Sequence, residues 1–119
     1  QASAGAQMWL IHELTHVWQH QLGYSVARAG VALFLRGGYR ARRAYDYGFG
    51  CDQMPDFASL NMEQQADMLA HYYAAAVLGL PKYQAQLPLL QAALKDFLRY
   101  PTWLALLPNH SRCPAVTAA

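Results

Sequence analysis

The stretch that most restricts this chain is His12-Glu13-Leu14-Thr15-His16, set between the apolar flanks Met8-Trp9-Leu10-Ile11 and Val17-Trp18. Residues four apart on a helix stand one above the other, with Cβ atoms about 5–6 Å apart. His12 and His16 therefore leave one face together and can direct two imidazole nitrogens at one metal ion. Glu13 follows about 100° further round, at 3.6 residues per turn. Its carboxylate is thereby set beside the metal's open position and not on the metal. This is the H-E-x-x-H arrangement, two zinc ligands with a general base between them. Buried histidines need partners, and a metal ion is the partner that this spacing suits.

Composition narrows the remaining choices. At 119 residues the chain fits one domain, large enough to bury roughly two-thirds of its unfolded surface. Hydrophobic residues make up 55% and charged residues only 13%, a globular balance and not a disordered one. No apolar run approaches the ~20 residues of a membrane span; Val31–Leu35 is the richest and far too short. The start, Gln1-Ala2-Ser3, lacks a basic segment before an apolar core, so no signal peptide is expected, and the chain reads as a domain cut from something longer.

The acid count says more than the net charge of +2. There are two glutamates, Glu13 and Glu63, against ten glutamines. Glutamate is not generic filler here, and each one asks for its own explanation. Cys51 and Cys113 are either two free thiols or one disulfide tying the tail to the central loop, and neither is spaced as a zinc pair.

Ser3 caps a first helix over about 4–21, stopped by Gly23, and its apolar residues nearly encircle it, which marks a central helix. His20 extends the histidine row, but a point about 12 Å along the axis from His12 does not share a tetrahedral ion with it; a rim position suits it better. A third histidine six residues after His16 is absent, that position being Leu22. Residues 26–35 read as a short helix, with a hairpin around Gly37-Gly38 as the alternative. Residues 39–49 alternate as a short edge strand with Tyr39, Ala41, Arg43, Tyr45 and Tyr47 on one face. The four arginines between 36 and 43 are either a basic wall for an acidic substrate or a sheet edge guarded against aggregation. No nucleic-acid motif accompanies them.

Residues 48–59 read as a loop. Asn61 then caps a helix with Gln64 completing a capping box, and Gly79 and Pro81 end it. A last helix is expected over 83–100, with Pro88 near its start or kinking it, and with Leu87, Leu90, Leu94, Leu98 and Phe97 as core. The tail from Pro101 runs irregularly. The expected fold class is mainly α with a minor β part: a compact domain with a central helix bearing His12 and His16, a second ligand-bearing helix, and at most a short strand or hairpin.

Two histidines leave zinc one ligand short, since catalytic zinc takes three protein ligands and a water. Glu63 fills the gap: it is the remaining glutamate, and it opens an amphipathic helix whose dipole keeps a carboxylate ionised. Asp67, one turn on, can accept the free N–H of a ligating imidazole and fix its tautomer.

His12-Glu13-x-x-His16 with Glu63-x-x-x-Asp67 downstream resembles the gluzincin branch of the zincin metallopeptidases. More narrowly, Ile11–Gln21, Tyr45-Asp46-Tyr47, and Asn61-Met-Glu-Gln-Gln-Ala-Asp67 with Tyr72-Tyr73 are similar to the small metallopeptidase toxin domains at the C-termini of type VI secretion spike proteins of the VgrG and Rhs types. The resemblance covers roughly residues 8–73. It implies a zincin-like fold, one zinc ion held by His12, His16 and Glu63, Glu13 as base, and delivery into a rival cell to act in its periplasm. It also implies a polypeptide or envelope peptide substrate and an immunity protein as partner; the residues themselves point to no nucleic acid and no membrane span. The gap of 47 residues between His16 and Glu63 is longer than in the secreted gluzincins, so the third ligand rests on the local motif.

Hydrolysis by such a site needs a second donor for the oxyanion, and His71, Tyr72, Tyr45 and Tyr47 are the candidates. Two other classes stay open: a binding module in which the metal organises a surface, and a basic domain associated with DNA or membrane, for which the arginines are the sole support. Within the enzyme class, protein peptidase and peptidoglycan amide hydrolase share the same chemistry.

Overall fold

The computed structural model describes residues 2–35, 37, 45–49 and 54–108, and all regular structure among them is helical. Helix α1 (Ala4–Gln21) begins where the Ser3 hydroxyl accepts the Ala6 N–H at 3.1 Å. It stops at Gly23, whose φ of 99° is open to glycine and strained for other residues. Helix α2 (Val26–Leu35) starts at Ser25, which accepts the Arg28 N–H. Residues 26–35 thus take the helical alternative. Of the strand expected over 39–49, residues 39–44 lie outside those described, as do Arg36, Arg40, Arg42, Arg43, Cys51 and Cys113; over 45–49 no strand forms.

Helix α3 (Met62–Ala76) carries the capping box that the sequence predicts: Asn61 accepts the Gln64 N–H, and the Gln64 side chain accepts the Asn61 N–H. It is also the most buried element, enclosed without a break from Met62 to Ala66. One side meets a core of Phe57, Leu60, Met68, Leu69, Leu90, Leu94 and Leu106. Met62 packs instead with Ala29 and Leu33 of α2. Leu33, Leu90 and Leu94 are fully enclosed, each worth about 1.5–3 kcal/mol relative to exposure.

This corrects the expectation that α1 is the central helix. Trp9, Leu10, Leu14 and Val17 are about half exposed or more, whereas His12, Thr15 and Gln19 are buried. An apolar circumference does not say which side is covered. Here the polar side turns inward because its groups find partners on α3.

The single helix expected over 83–100 is three short ones, α4 (Pro81–Gln84), α5 (Leu87–Ala93) and α6 (Lys95–Arg99). The Pro88 ring cannot coexist with a helical carbonyl four residues back, at Gln84. It sits in the first turn of α5, where its missing N–H is not needed. The α5–α6 break at Leu94 keeps Leu90 and Leu94 inside, while Leu98, expected in the core, is 46% exposed. Beyond α6 the chain crosses back: the Trp18 indole donates to the Pro101 carbonyl, and Leu106 is buried in a 3-10 turn at Leu104–Leu106. No helix among the described residues is long and apolar enough to cross a membrane.

Candidate metal centre

The seam between α1 and α3 is polar, and the site lies in it. His12 Nε2 and His16 Nε2 approach the same oxygen, Glu63 Oε1, at 3.1 and 2.9 Å. One donor atom from each residue lies within 4.8 Å of the others. A tetrahedral ion with bonds of about 2.0–2.1 Å sets its donors about 3.3 Å apart, close to this spacing.

The far nitrogens of both rings are tied down. His12 Nδ1 stands 2.8 Å from Asp67 Oδ1, and His16 Nδ1 stands 2.8 Å from Gln19 Oε1. Both partners are acceptors, so both rings carry hydrogen on Nδ1. In the neutral imidazoles, two Nε2 lone pairs then face a carboxylate oxygen. Three lone pairs meet in a largely buried space, which is repulsive unless positive charge sits among them.

Protons are one way to supply that charge. Burial lowers the His12 pKa, but hydrogen bonds to Asp67 and Glu63 and their negative charges outweigh it, leaving it at about 9. His16 is raised for the same reasons, burial opposing and Glu63 and Gln19 prevailing. A divalent cation is the other way. Two imidazole nitrogens and one carboxylate oxygen are a donor set that suits zinc. The residues present fit the ion.

Each candidate ligand is positioned by local structure. Glu63 lies in the first turn of α3, where the helix dipole favours a carboxylate. The Trp9 ring stacks on His12 at 5.2 Å and 8°, and Tyr45 lies against the same ring at 5.8 Å. Gln19 is the residue that sequence reasoning missed. While its oxygen holds His16, its nitrogen reaches Met62 O at 3.1 Å and Gln65 Oε1 at 2.9 Å. Gln65 in turn donates to Phe57 O and Leu106 O. The only signal was its place three residues after His16, and nothing marks one such glutamine among ten.

Glu13 is exposed beside the ligands, and among the described residues no group pairs with its carboxylate. The four candidate oxyanion donors separate. The Tyr47 hydroxyl and His71 Nδ1 share a hydrogen bond at 2.5 Å. Burial pushes the Tyr47 phenol up and the His71 imidazole down, so both stay neutral and committed to each other. His71 is further boxed by Phe49 and Tyr83. Tyr72 packs against the core. Tyr45 is the candidate that touches a ligand. His20 is exposed, on the rim and away from the donor cluster.

Over 67 residues, 53% of this chain, the sequence is 34% identical to the type VI secretion system spike protein VgrG2b of Pseudomonas aeruginosa (strain PAO1). No family model matches the chain, and no solved structure does. The chain spans only 6% of the length of that spike protein. What these comparisons establish is a partial likeness, over about half of this chain, to one small segment of a secretion spike.

Proposed function

We propose that this domain is a zinc-dependent metallopeptidase, a type VI secretion effector that hydrolyses peptide or amide bonds in the periplasm of a target cell. The observation that carries the proposal is the convergence of His12 Nε2, His16 Nε2 and Glu63 Oε1 with both Nδ1 atoms tied back. The likeness to a secretion spike protein supports the delivery route, and an immunity protein in the producing cell follows from that reading.

When bound, zinc lowers the pKa of its water from 15.7 to about 7 and polarises a scissile carbonyl. His12, His16 and Glu63 would hold the ion, and Asp67 and Gln19 keep the two rings in the tautomer that leaves Nε2 free to bind it. Glu13, exposed at the edge of the donor cluster, takes a proton from the attacking water and returns it to the leaving amine. Tyr45, whose ring lies against His12, would be the donor for the negative charge that develops on the carbonyl oxygen.

Metal analysis of the purified domain beside its Glu63→Ala variant tests the ligand set. The expected result is about one zinc per chain, falling sharply in the variant. Unchanged occupancy would place the third ligand elsewhere.

A further inference from the structure

The proposed hydrolysis leaves two substrate classes, polypeptides and the short stem peptides of peptidoglycan, and the surface around Glu13 separates them. On a helix the neighbours of a side chain are those three and four residues away. For Glu13 these are Trp9, Leu10 and Val17, exposed to 60, 56 and 49%, with His16 completing the set; Leu14, 50% exposed, stands four residues from Leu10 and three from Val17 and so joins the same patch. The carboxylate is therefore collared by three exposed apolar side chains in a patch that Leu14 extends, and the polar group at its side belongs to the donor cluster. Trp9 also stacks on the His12 ring, so the apolar surface runs up to a ligand without a gap.

Single exposed apolar residues need no explanation, but a contiguous group does. A second copy of this chain laid on the face would bury the Glu13 carboxylate, at a large cost unless the copy brought a cation to it. A reactant placed for hydrolysis brings water and an amide N–H to that carboxylate and covers the collar with its own side chains. A stem peptide of small and charged residues leaves the collar wet. A polypeptide carrying bulky apolar residues covers it, at about 25 cal/mol for each Å² removed from water.

Building on the peptidase reading, we propose that Trp9, Leu10, Leu14 and Val17 form the specificity surface, and that the substrate is an extended polypeptide with bulky apolar side chains beside the scissile bond.

The test uses the zinc-loaded Glu13→Gln protein, so that binding is read without turnover. Titration calorimetry compares an octapeptide rich in Leu and Phe with a stem-type peptide of Ala, Glu and Lys. The apolar peptide is expected to bind at least about tenfold more tightly. Adding Leu10→Ser with Leu14→Ser removes the difference while zinc content stays the same. Equal affinities, tighter binding of the stem-type peptide, or no binding of either overturns the proposal. Hydrolysis by the parent protein is read separately. Equal kcat/KM for both peptides overturns the specificity surface and leaves the peptidase standing. An apolar binding preference without any hydrolysis supports the surface and ends the peptidase reading.

Discussion

Gln19 holds His16 from within the same helix, Oε1 to Nδ1 at 2.8 Å, and with its other amide atom grips the Met62 carbonyl on the facing helix. One side chain thus sets a candidate ligand's tautomer and the seating of two helices together. Replacing it with leucine keeps the volume and removes both functions. Gln19→Leu should cost about 1–3 kcal/mol, because Gln65 and the Met62 carbonyl lose a buried partner. Zinc affinity should fall about 10–100-fold. Urea unfolding and a chelator competition check the two effects, and an unchanged affinity would mean that His16 is oriented by something else.

Glu13 lies outside the donor cluster, so its removal should separate chemistry from metal binding. Glu13→Gln is expected to hold zinc with the parent's stoichiometry and to lose about 10²–10⁴-fold in kcat. Peptide hydrolysis measured beside metal content decides it. A fully active variant would show that this carboxylate is not the base.

The metal-free protein should respond to pH in a particular direction. His12 is held at about 9 against 6.5 for the free side chain, and His16 is raised as well. A raised histidine contributes stability that is fully present below 6.5 and is lost as pH climbs through the folded value. The chelated domain should therefore melt at a lower temperature at pH 9 than at pH 6.5. Zinc affinity should run the other way, rising over the same window as the competing protons leave. Melting curves with and without chelator test both; a metal-free Tm that rises with pH would contradict the proton-filled cluster.

Tyr47→Phe removes the hydroxyl partner of His71 and leaves a partly buried imidazole nitrogen without it. The expected loss is about 1–3 kcal/mol of stability with zinc stoichiometry intact, because neither residue belongs to the donor cluster. Denaturant unfolding with parallel metal analysis would expose a ligand role if zinc were lost instead.

Much of this arrangement can be read in the sequence where the determinants are local. The bounds of α1 follow from Ser3 and Gly23, and the start of α3 from the Asn61–Gln64 box, because capping depends on residues three or four apart. The approach of Glu63 to the two histidines was readable by elimination in a chain with only two glutamates. Side-chain facing was not. Trp9, Leu10 and Leu14 read as core and lie outside, because burial is decided by which face finds partners after folding. Gln19 shares its residue type with nine others. The division of the C-terminal helix follows Pro88 only in part, since the second break, at Leu94, comes from how two leucines reach a core assembled from distant segments.

The polar seam between α1 and α3 has one more consequence. Helices joined through hydrocarbon can slip or roll slightly, since one methyl replaces another at little cost. The bonds from Gln19 to Met62 and Gln65, and from His12 to Asp67, allow no such drift: a displacement by the 1.5 Å of a single residue breaks them all at once. The seam behaves as a keyway, admitting one alignment, so that atoms far apart along the chain come to rest with the tolerance a bond demands.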